Sequence, residues 1–222
     1  MIGGNMKPMH GIFFRDFEDG HIPEIIEEIY RKQAYEPHLN GKKDLVMMDI
    51  GANIGIWSFY AAKYAKIIYA LEPSAQHFEC LVTMAVTNEL HPVSPHKQAI
   101  SNSNGKAKFY HNQNTTMFSL SSALDQGEFE EVETITLDKF FKDNKIEHID
   151  FMKVDIEGAE AEVFGGDGFD KVKDKIDTIM GEFHVWTGIN PDQFAGYFKE
   201  RGFTFKWVNK TDASLFIAER IR

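Results

Sequence analysis

Four ionisable side chains, Asp155, Glu157, Glu182 and His184, stand at or just beyond the ends of two apolar runs, residues 149–154 and 178–183. Runs of that length read as buried strands, and in an open α/β sheet ligands sit beyond the carboxyl ends of the strands. Three carboxylates and an imidazole gathered there offer two kinds of chemistry. The imidazole titrates near neutral pH and can take the proton of a reacting hydroxyl, with Glu182 or Asp155 orienting it. The competing use is a cation site in which Asp155, Glu182 and His184 hold Mg²⁺ or Mn²⁺ and the metal lowers the pKa of a bound hydroxyl. Plain structural roles compete as well. Glu157 suits the positive N-terminal end of a helix, and His184, between Phe183 and Val185-Trp186, suits a buried, hydrogen-bonded position. Glu160 and Glu162, farther along the same segment, read as structural or solvated.

A second constellation lies upstream. The string Asp49-Ile50-Gly51-Ala52-Asn53-Ile54-Gly55 closes another apolar run, and Glu72 follows 23 positions after Asp49 at the end of the next one. Glycines permit a sharp strand-to-helix turn and close approach of a ligand. A carboxylate about 20 residues farther on can accept both ribose hydroxyls of an adenosine. The nicotinamide fingerprint G-x-G-x-x-G fails here, because Asn53 stands where the second glycine belongs. Asp49, just before the turn, also opposes a pyrophosphate. An aspartate there suits a cationic adenosine ligand carrying an ammonium and a sulfonium, S-adenosylmethionine. No Gly-Lys-Ser/Thr phosphate loop is present.

The elements that must position these groups alternate. Residues 21–35 carry a helix signal: Pro23 at the first turn, Glu24, Glu27 and Glu28 near the positive end, and Ile25, Ile26, Ile29 and Tyr30 on one stripe. Residues 1–44 are expected to form a helical cover on a domain at 45–222, the two making one compact unit. Strand 45–50, helix 56–64 and strand 66–71 make a βαβ unit. Helix 75–89 and a strand at 97–101 follow, then two extra strands, 106–110 and 131–136, around a polar loop. Next come helix 137–144, strand 149–154, helix 160–172, strand 178–183 and helix 191–201. Strands 203–208 and 214–219 leave no room for a helix between them and predict an antiparallel hairpin. The class is α/β: a mostly parallel sheet with helices on both faces and one reversed strand.

Composition narrows the function classes. The 24 Lys and Arg against 34 Asp and Glu give a formal net charge of −10 over 222 residues, so a whole-domain basic footprint is missing and no nucleic-acid partner is expected. One cysteine, Cys80, excludes an internal disulfide framework and a Cys-rich zinc site. No run of about 18 uncharged apolar residues exists, so no membrane insertion is expected. The first residues lack a signal-peptide core, which points to a cytoplasmic protein.

From about residue 35 to residue 182 and beyond, the motifs in order resemble those of the FkbM-type family of class I S-adenosylmethionine-dependent methyltransferases. The pieces are the Asp49–Gly55 turn, Ala70-Leu71-Glu72-Pro73-Ser74, Ala99-Ile100-Ser101, Thr136-Leu137-Asp138 and, most specific, Lys153-Val154-Asp155-Ile156-Glu157-Gly158-Ala159-Glu160. The resemblance implies a Rossmann-like seven-stranded sheet with the seventh strand reversed. It also implies methyl transfer to a hydroxyl, often on a sugar, glycoconjugate or natural product. By position it puts Gly51 and the neighbouring backbone, Ala52 and Gly55 included, at the methionine portion, with Asp49 and Asn53 shaping that end. Glu72 takes the ribose, Pro73 and Ser74 lie beside the adenosine, and Gln98, Ala99 and Ile100, at the third strand's end, border the adenine. Glu36, in Tyr35-Glu36-Pro37, closes over the cofactor. Two rivals share parts of the pattern: a NAD-type Rossmann oxidoreductase, and a non-catalytic cofactor-binding module, against which Asp155, Glu157 and His184 argue.

Overall fold

The computed structural model describes residues 6–9, 12–15, 29, 35–111, 118–119, 129–184, 188–208 and 215–222. Its centre, among these residues, is a seven-stranded sheet. The strands are β3 (Leu45–Ile50), β4 (Ala65–Leu71), β5 (Val93–His96), β10 (Ile149–Val154), β11 (Ile176–Glu182), β12 (Phe203–Trp207) and β13 (Leu215–Arg220), in the order β12-β13-β11-β10-β3-β4-β5. β3 pairs in parallel with both β10 and β4, while β13 runs antiparallel to β11 and β12. The expected Rossmann-like sheet with its reversed strand is therefore present. The chain switches direction of travel across the sheet between β3 and β10, and the crevice at such a switch point is where open α/β sheets bind ligands.

Alternation along the strands builds two cores. Met48, Ile50, Met152 and Val154 face one layer, with Phe164, Phe169, Phe194, Phe198, Phe203 and Phe216 packed into it. Met47, Phe151 and Met180 face the other, against Tyr35, Trp57 and Leu81. The many phenylalanines are largely explained by the first layer. The helices are α1 (Glu36–Leu39), α2 (Ile56–Ala61), α3 (Ala75–Thr87), α4 (Leu137–Asp143), α5 (Glu160–Gly165), α6 (Asp167–Asp170) and α7 (Pro191–Lys199). The helix expected at 160–172 is broken because Gly166 adopts extended backbone, φ −93° and ψ 161°, between α5 and α6.

The third strand is corrected. It lies at Val93–His96, not at 97–101, and β6 (Ala99–Ile100) leaves the main sheet to pair in parallel with β9 (Phe129–Ile135). β9 also pairs antiparallel with β7 (Gly105–His111), and β7 with β8 (Phe118–Ser119), so the two extra strands belong to a second, four-stranded sheet. Near the N-terminus β1 (Met6–Met9) and β2 (Ile12–Arg15) form an antiparallel pair. Apart from Ile29 and Tyr35, the helix expected at 21–35 lies outside the described residues. No described helix is long and apolar enough to cross a membrane.

Candidate active site

The turn after β3 is held from within. Gly51 has φ +75°, and a Cβ on it would stand 1.7 Å from the Asp155 carbonyl oxygen, so only glycine fits against β10 there. The N–H groups of Gly51 and Ala52 both donate to the Leu71 carbonyl, at 3.0 and 2.9 Å. Asn53, also left-handed at φ +53°, donates its N–H to Glu72 Oε2 at 2.9 Å and accepts the Ile54 N–H on its own Oδ1 at 2.7 Å. Gly55 donates to the Ala52 carbonyl at 2.8 Å. A Cβ on Gly55 would meet Met84 and Leu81 at 2.5 and 2.6 Å, so its bareness serves the packing of α3.

Asp49 is wholly buried. Ser58 donates to its Oδ2 at 2.6 Å, and Lys153 Nζ stands 3.4 Å from its Oδ1. The sheet register explains the pair, since Lys153 lies directly beside Asp49 across β10 and β3. Lys153 Nζ also donates to the Gly51 carbonyl at 2.8 Å and stands 3.6 Å from Asp155 Oδ2. Burial raises the Asp49 carboxyl against the pull of Lys153. For Lys153 burial works downward, but the Asp49, Asp155 and Glu182 carboxylates outweigh it and hold the ammonium's pKa above its ordinary value. Lys153 therefore compensates the negative charge that the sequence alone assigns to Asp49.

Beyond β4, Glu72 is buried and accepts one backbone N–H on each oxygen, from Asn53 on Oε2 and from Ser74 on Oε1, both at 2.9 Å. Burial pushes its carboxyl up to about 7, with the two backbone donors acting downward. Each oxygen keeps lone-pair capacity for a further donor. Ser74 caps α3 by accepting the His77 N–H at 3.5 Å. Glu72 opens on a cleft of about 570 Å³ that Gly51, Asn53, Pro73, Gln98, Ala99 and Asp155 help to line. Ile50, Ile100, Phe109 and Ile156 contribute apolar wall. Gln98 and Ala99 reach it although they sit past the end of β5, not within a strand of the main sheet.

At the ends of β10 and β11 the acidic cluster closes around His184, which is 5% exposed. Its Nε2 stands 3.2 Å from Glu157 Oε2, 3.9 Å from Glu182 Oε2 and 4.0 Å from Asp155 Oδ1. Its Nδ1 is 2.8 Å from Glu160 Oε1, a fully buried carboxylate that also accepts the N–H groups of Ile156 and Gly158, both at 3.2 Å. Glu157 itself has left-handed backbone, φ +51°. Burial opposes the imidazolium, but Glu160, Glu157 and Asp155 prevail and raise the pKa of His184. Burial and the neighbouring Asp155 raise Glu157. Donor atoms of Asp155, Glu157 and His184 lie within 4.8 Å of one another.

All four residues expected at the strand ends are thus brought together, with Glu160 nearest Nδ1 and Glu157 nearest Nε2, and Glu182 and Asp155 farther from the imidazole. Glu36 is placed elsewhere: Tyr60 and Tyr64 donate to its Oε2, Lys63 stands 3.9 Å away, and it lines neither described cleft. Sequence reasoning missed Lys153, Glu160 and Ser58. A lysine inside an otherwise apolar strand demands a buried counter-ion, and a glutamate early in a helix can reach back to the preceding amides; those were the available signals.

A second cleft, of about 500 Å³, lies on the other side of the turn, lined in part by Tyr35, Ala52, Trp57, Lys153, Asp155 and Glu182. Gly51, Asn53 and Asp155 border both clefts.

Residues 49–205 match the family model of the methyltransferase FkbM domain. No curated protein matches the chain in sequence. Among solved structures, precorrin-6y C5,15-methyltransferase of Geobacter metallireducens GS-15 is similar over 93% of this chain and 94% of its own, with TM-score 0.54 and 13% identity. Methyltransferase FkbM of Methylobacillus flagellatus KT is similar over 86% of this chain, TM-score 0.53 and 12% identity; this chain spans 50% of that one. A SAM-dependent methyltransferase of Aquifex aeolicus is similar over 91% of this chain and 97% of its own, TM-score 0.51 and 10% identity. At these identities the likeness is one of fold.

Proposed function

This chain belongs to the FkbM methyltransferase family, and from that premise we propose that it transfers the methyl group of S-adenosylmethionine to a hydroxyl oxygen of a sugar, glycoconjugate or natural product, with His184 as general base. The observation that carries the reading is the imidazole itself. Its Nδ1 is tied to Glu160 at 2.8 Å, and its Nε2 stands 3.2 Å from Glu157 and 4.0 Å from Asp155, two residues that line the cleft shared with Glu72.

The residues fit the cofactor. Glu72 has an acceptor site left on each oxygen for the two ribose hydroxyls, and Ile100 and Phe109 offer an apolar wall for the adenine. The cofactor supplies an activated methyl carbon and its leaving sulfur. This chain's task is alignment, which can contribute roughly 7–11 kcal/mol. Carboxylates beside a sulfonium stabilise the ground state more than the charge-dispersed transition state, so Asp155 and Glu182 are assigned binding, not acceleration. A neutral hydroxyl acceptor must lose its proton, and a positioned base contributes typically ~10²–10⁴-fold. Glu160 acts on the far nitrogen, holding Nδ1–H so that Nε2 is the basic atom. Because the surrounding carboxylates raise the pKa of His184, turnover is expected to climb with pH from neutrality upward.

The test is His184→Gln, assayed with a panel of saccharide and small-molecule hydroxyl acceptors and with S-adenosylhomocysteine titrated by calorimetry. The expected result is unchanged binding of S-adenosylhomocysteine and a loss of turnover on the order of 10²–10⁴-fold. Full turnover at saturating cofactor would remove His184 from the chemistry. Turnover abolished by a chelator and restored by Mg²⁺ or Mn²⁺ would move His184 and Asp155 to a metal role, with Glu157, whose donor atom lies within 4.8 Å of theirs, in the place expected for Glu182.

A further inference from the structure

The methionyl end of the cofactor is a zwitterion, and its carboxylate needs donors. Glycine turns of this kind ordinarily supply backbone amides. Here every N–H from Gly51 to Gly55 is already spent inside the chain: two on the Leu71 carbonyl, one on Glu72, one on Asn53 Oδ1 and one on the Ala52 carbonyl. Among the described residues the two clefts have one lysine or arginine in their walls, Lys153, and it lines the second cleft. Trp57 lines the same cleft; it is 2% exposed, and its indole N–H is buried with no acceptor among the described residues. A buried N–H left unpaired is costly, on the order of 1–3 kcal/mol. A buried Asp49–Lys153 pair is likewise a poor stability device, since well-packed apolar residues serve as well. Both features gain a purpose if an anion enters this cleft.

Given the cofactor assigned above, we propose that Lys153, together with the indole N–H of Trp57, receives the α-carboxylate of the cofactor's methionyl end, while Asp155 and Glu182, on the same cleft, answer its ammonium. Of the three partners of the Lys153 ammonium, Asp155 at 3.6 Å is the most distant and belongs to a partly exposed side chain. It is the contact that an incoming carboxylate replaces. The Gly51 carbonyl at 2.8 Å and Asp49 at 3.4 Å stay in place and hold the ammonium beside the turn. Lys153 is thus a recognition residue for the amino-acid end, and Asp49 and Ser58 position it.

The test compares three ligands by calorimetry: S-adenosylhomocysteine, its decarboxylated counterpart and 5′-methylthioadenosine, which lacks the amino-acid end. The wild-type protein is expected to bind S-adenosylhomocysteine on the order of 10- to 100-fold more tightly than the decarboxylated ligand, the range of a charge-assisted hydrogen bond. Lys153→Met should bring that ratio close to one while leaving 5′-methylthioadenosine affinity unchanged, and Lys153→Arg should restore part of it. Trp57→Phe should narrow the ratio more modestly. A wild-type ratio near one overturns the proposal whether or not the variants fold. Equal weakening of all three ligands by Lys153→Met overturns it in favour of a structural lysine. A wild-type protein that binds none of the three removes the cofactor reading itself, and this assignment with it.

Discussion

Replacing Glu72 by glutamine should separate stability from cofactor binding. Burial raises the Glu72 carboxyl from 4.5 to about 7. A raised carboxyl pKa means that the folded chain holds a proton which the unfolded chain has released. The ionised group therefore destabilises the fold progressively from about pH 4.5 to 7, and the penalty levels off above that window. With those two values the penalty is about 1 kcal/mol at pH 5 and about 3 kcal/mol at pH 8. The Glu72→Gln substitution removes it at both. The amide brings a cost of its own: both carboxylate oxygens now accept backbone N–H groups, and the glutamine NH₂ must face one of them, at roughly 1–3 kcal/mol. That cost does not depend on pH, so it cancels in a comparison. The stability difference, variant minus wild type, should be about 2 kcal/mol more favourable at pH 8 than at pH 5. For a chain of this length that corresponds to a shift of about 4–8 °C in Tm, readable by thermal denaturation at the two pH values. In the same protein, affinity for S-adenosylhomocysteine should fall on the order of 10- to 100-fold, because a charged acceptor for the ribose hydroxyls is gone. A pH-independent difference in Tm, or affinity that survives, refutes the reasoning.

The remaining predictions are shorter. Gly51→Ala would put a Cβ 1.7 Å from the Asp155 carbonyl oxygen at φ +75°, so a loss of more than about 3 kcal/mol in denaturant unfolding is expected. Glu160→Gln keeps an acceptor oxygen for His184 Nδ1 and for the Ile156 and Gly158 amides but removes the charge that most raises the imidazole's pKa. The rising limb of the pH–rate profile should then move to lower pH, whereas Glu160→Ala, which also loses the hydrogen bonds, should lower kcat at every pH.

Much of the fold was legible because its signals are local. The apolar runs at 45–50 and 149–154, the Asp49–Gly55 turn and the two closely spaced C-terminal strands each dictate an element by pattern alone. The third strand was not legible, for a physical reason. Pro92 and Pro95 argue against a strand at 93–96, yet β5 is the sheet's edge, where a proline costs no ladder hydrogen bond. The strand-end residues were legible as a group, because period-2 strands ending in carboxylates deliver them to one rim. Their pairing was not. Glu160 sits where a helix N-terminus explains a glutamate without any ligand, and only the folded position of His184, 24 residues on, reveals the contact. Lys153 was masked by its apolar neighbours, and its partner Asp49 lies 104 residues away in sequence, adjacent only through the β3–β10 register.

That register has a consequence for how the two halves of the site depend on each other. Ser58, Asp49, Lys153, Asp155, His184 and Glu160 form a chain of contacts, at 2.6, 3.4, 3.6, 4.0 and 2.8 Å in turn, whose charges alternate from Asp49 to Glu160. Its first members hold the cofactor turn and its last hold the base, with Asp155 between two cations. If a carboxylate takes the place of Asp155 at Lys153, Asp155 is released toward the ammonium and toward His184. Cofactor entry would then change the field at the base without any backbone movement. Alternating charges also account for the tolerance of so many ionised groups in a buried place: each is costly alone, and each has a neighbour of opposite sign. Removing a middle member such as Lys153 takes away the cation between Asp49 and Asp155, so its loss should be felt at the base as well as at the amino-acid end of the cofactor.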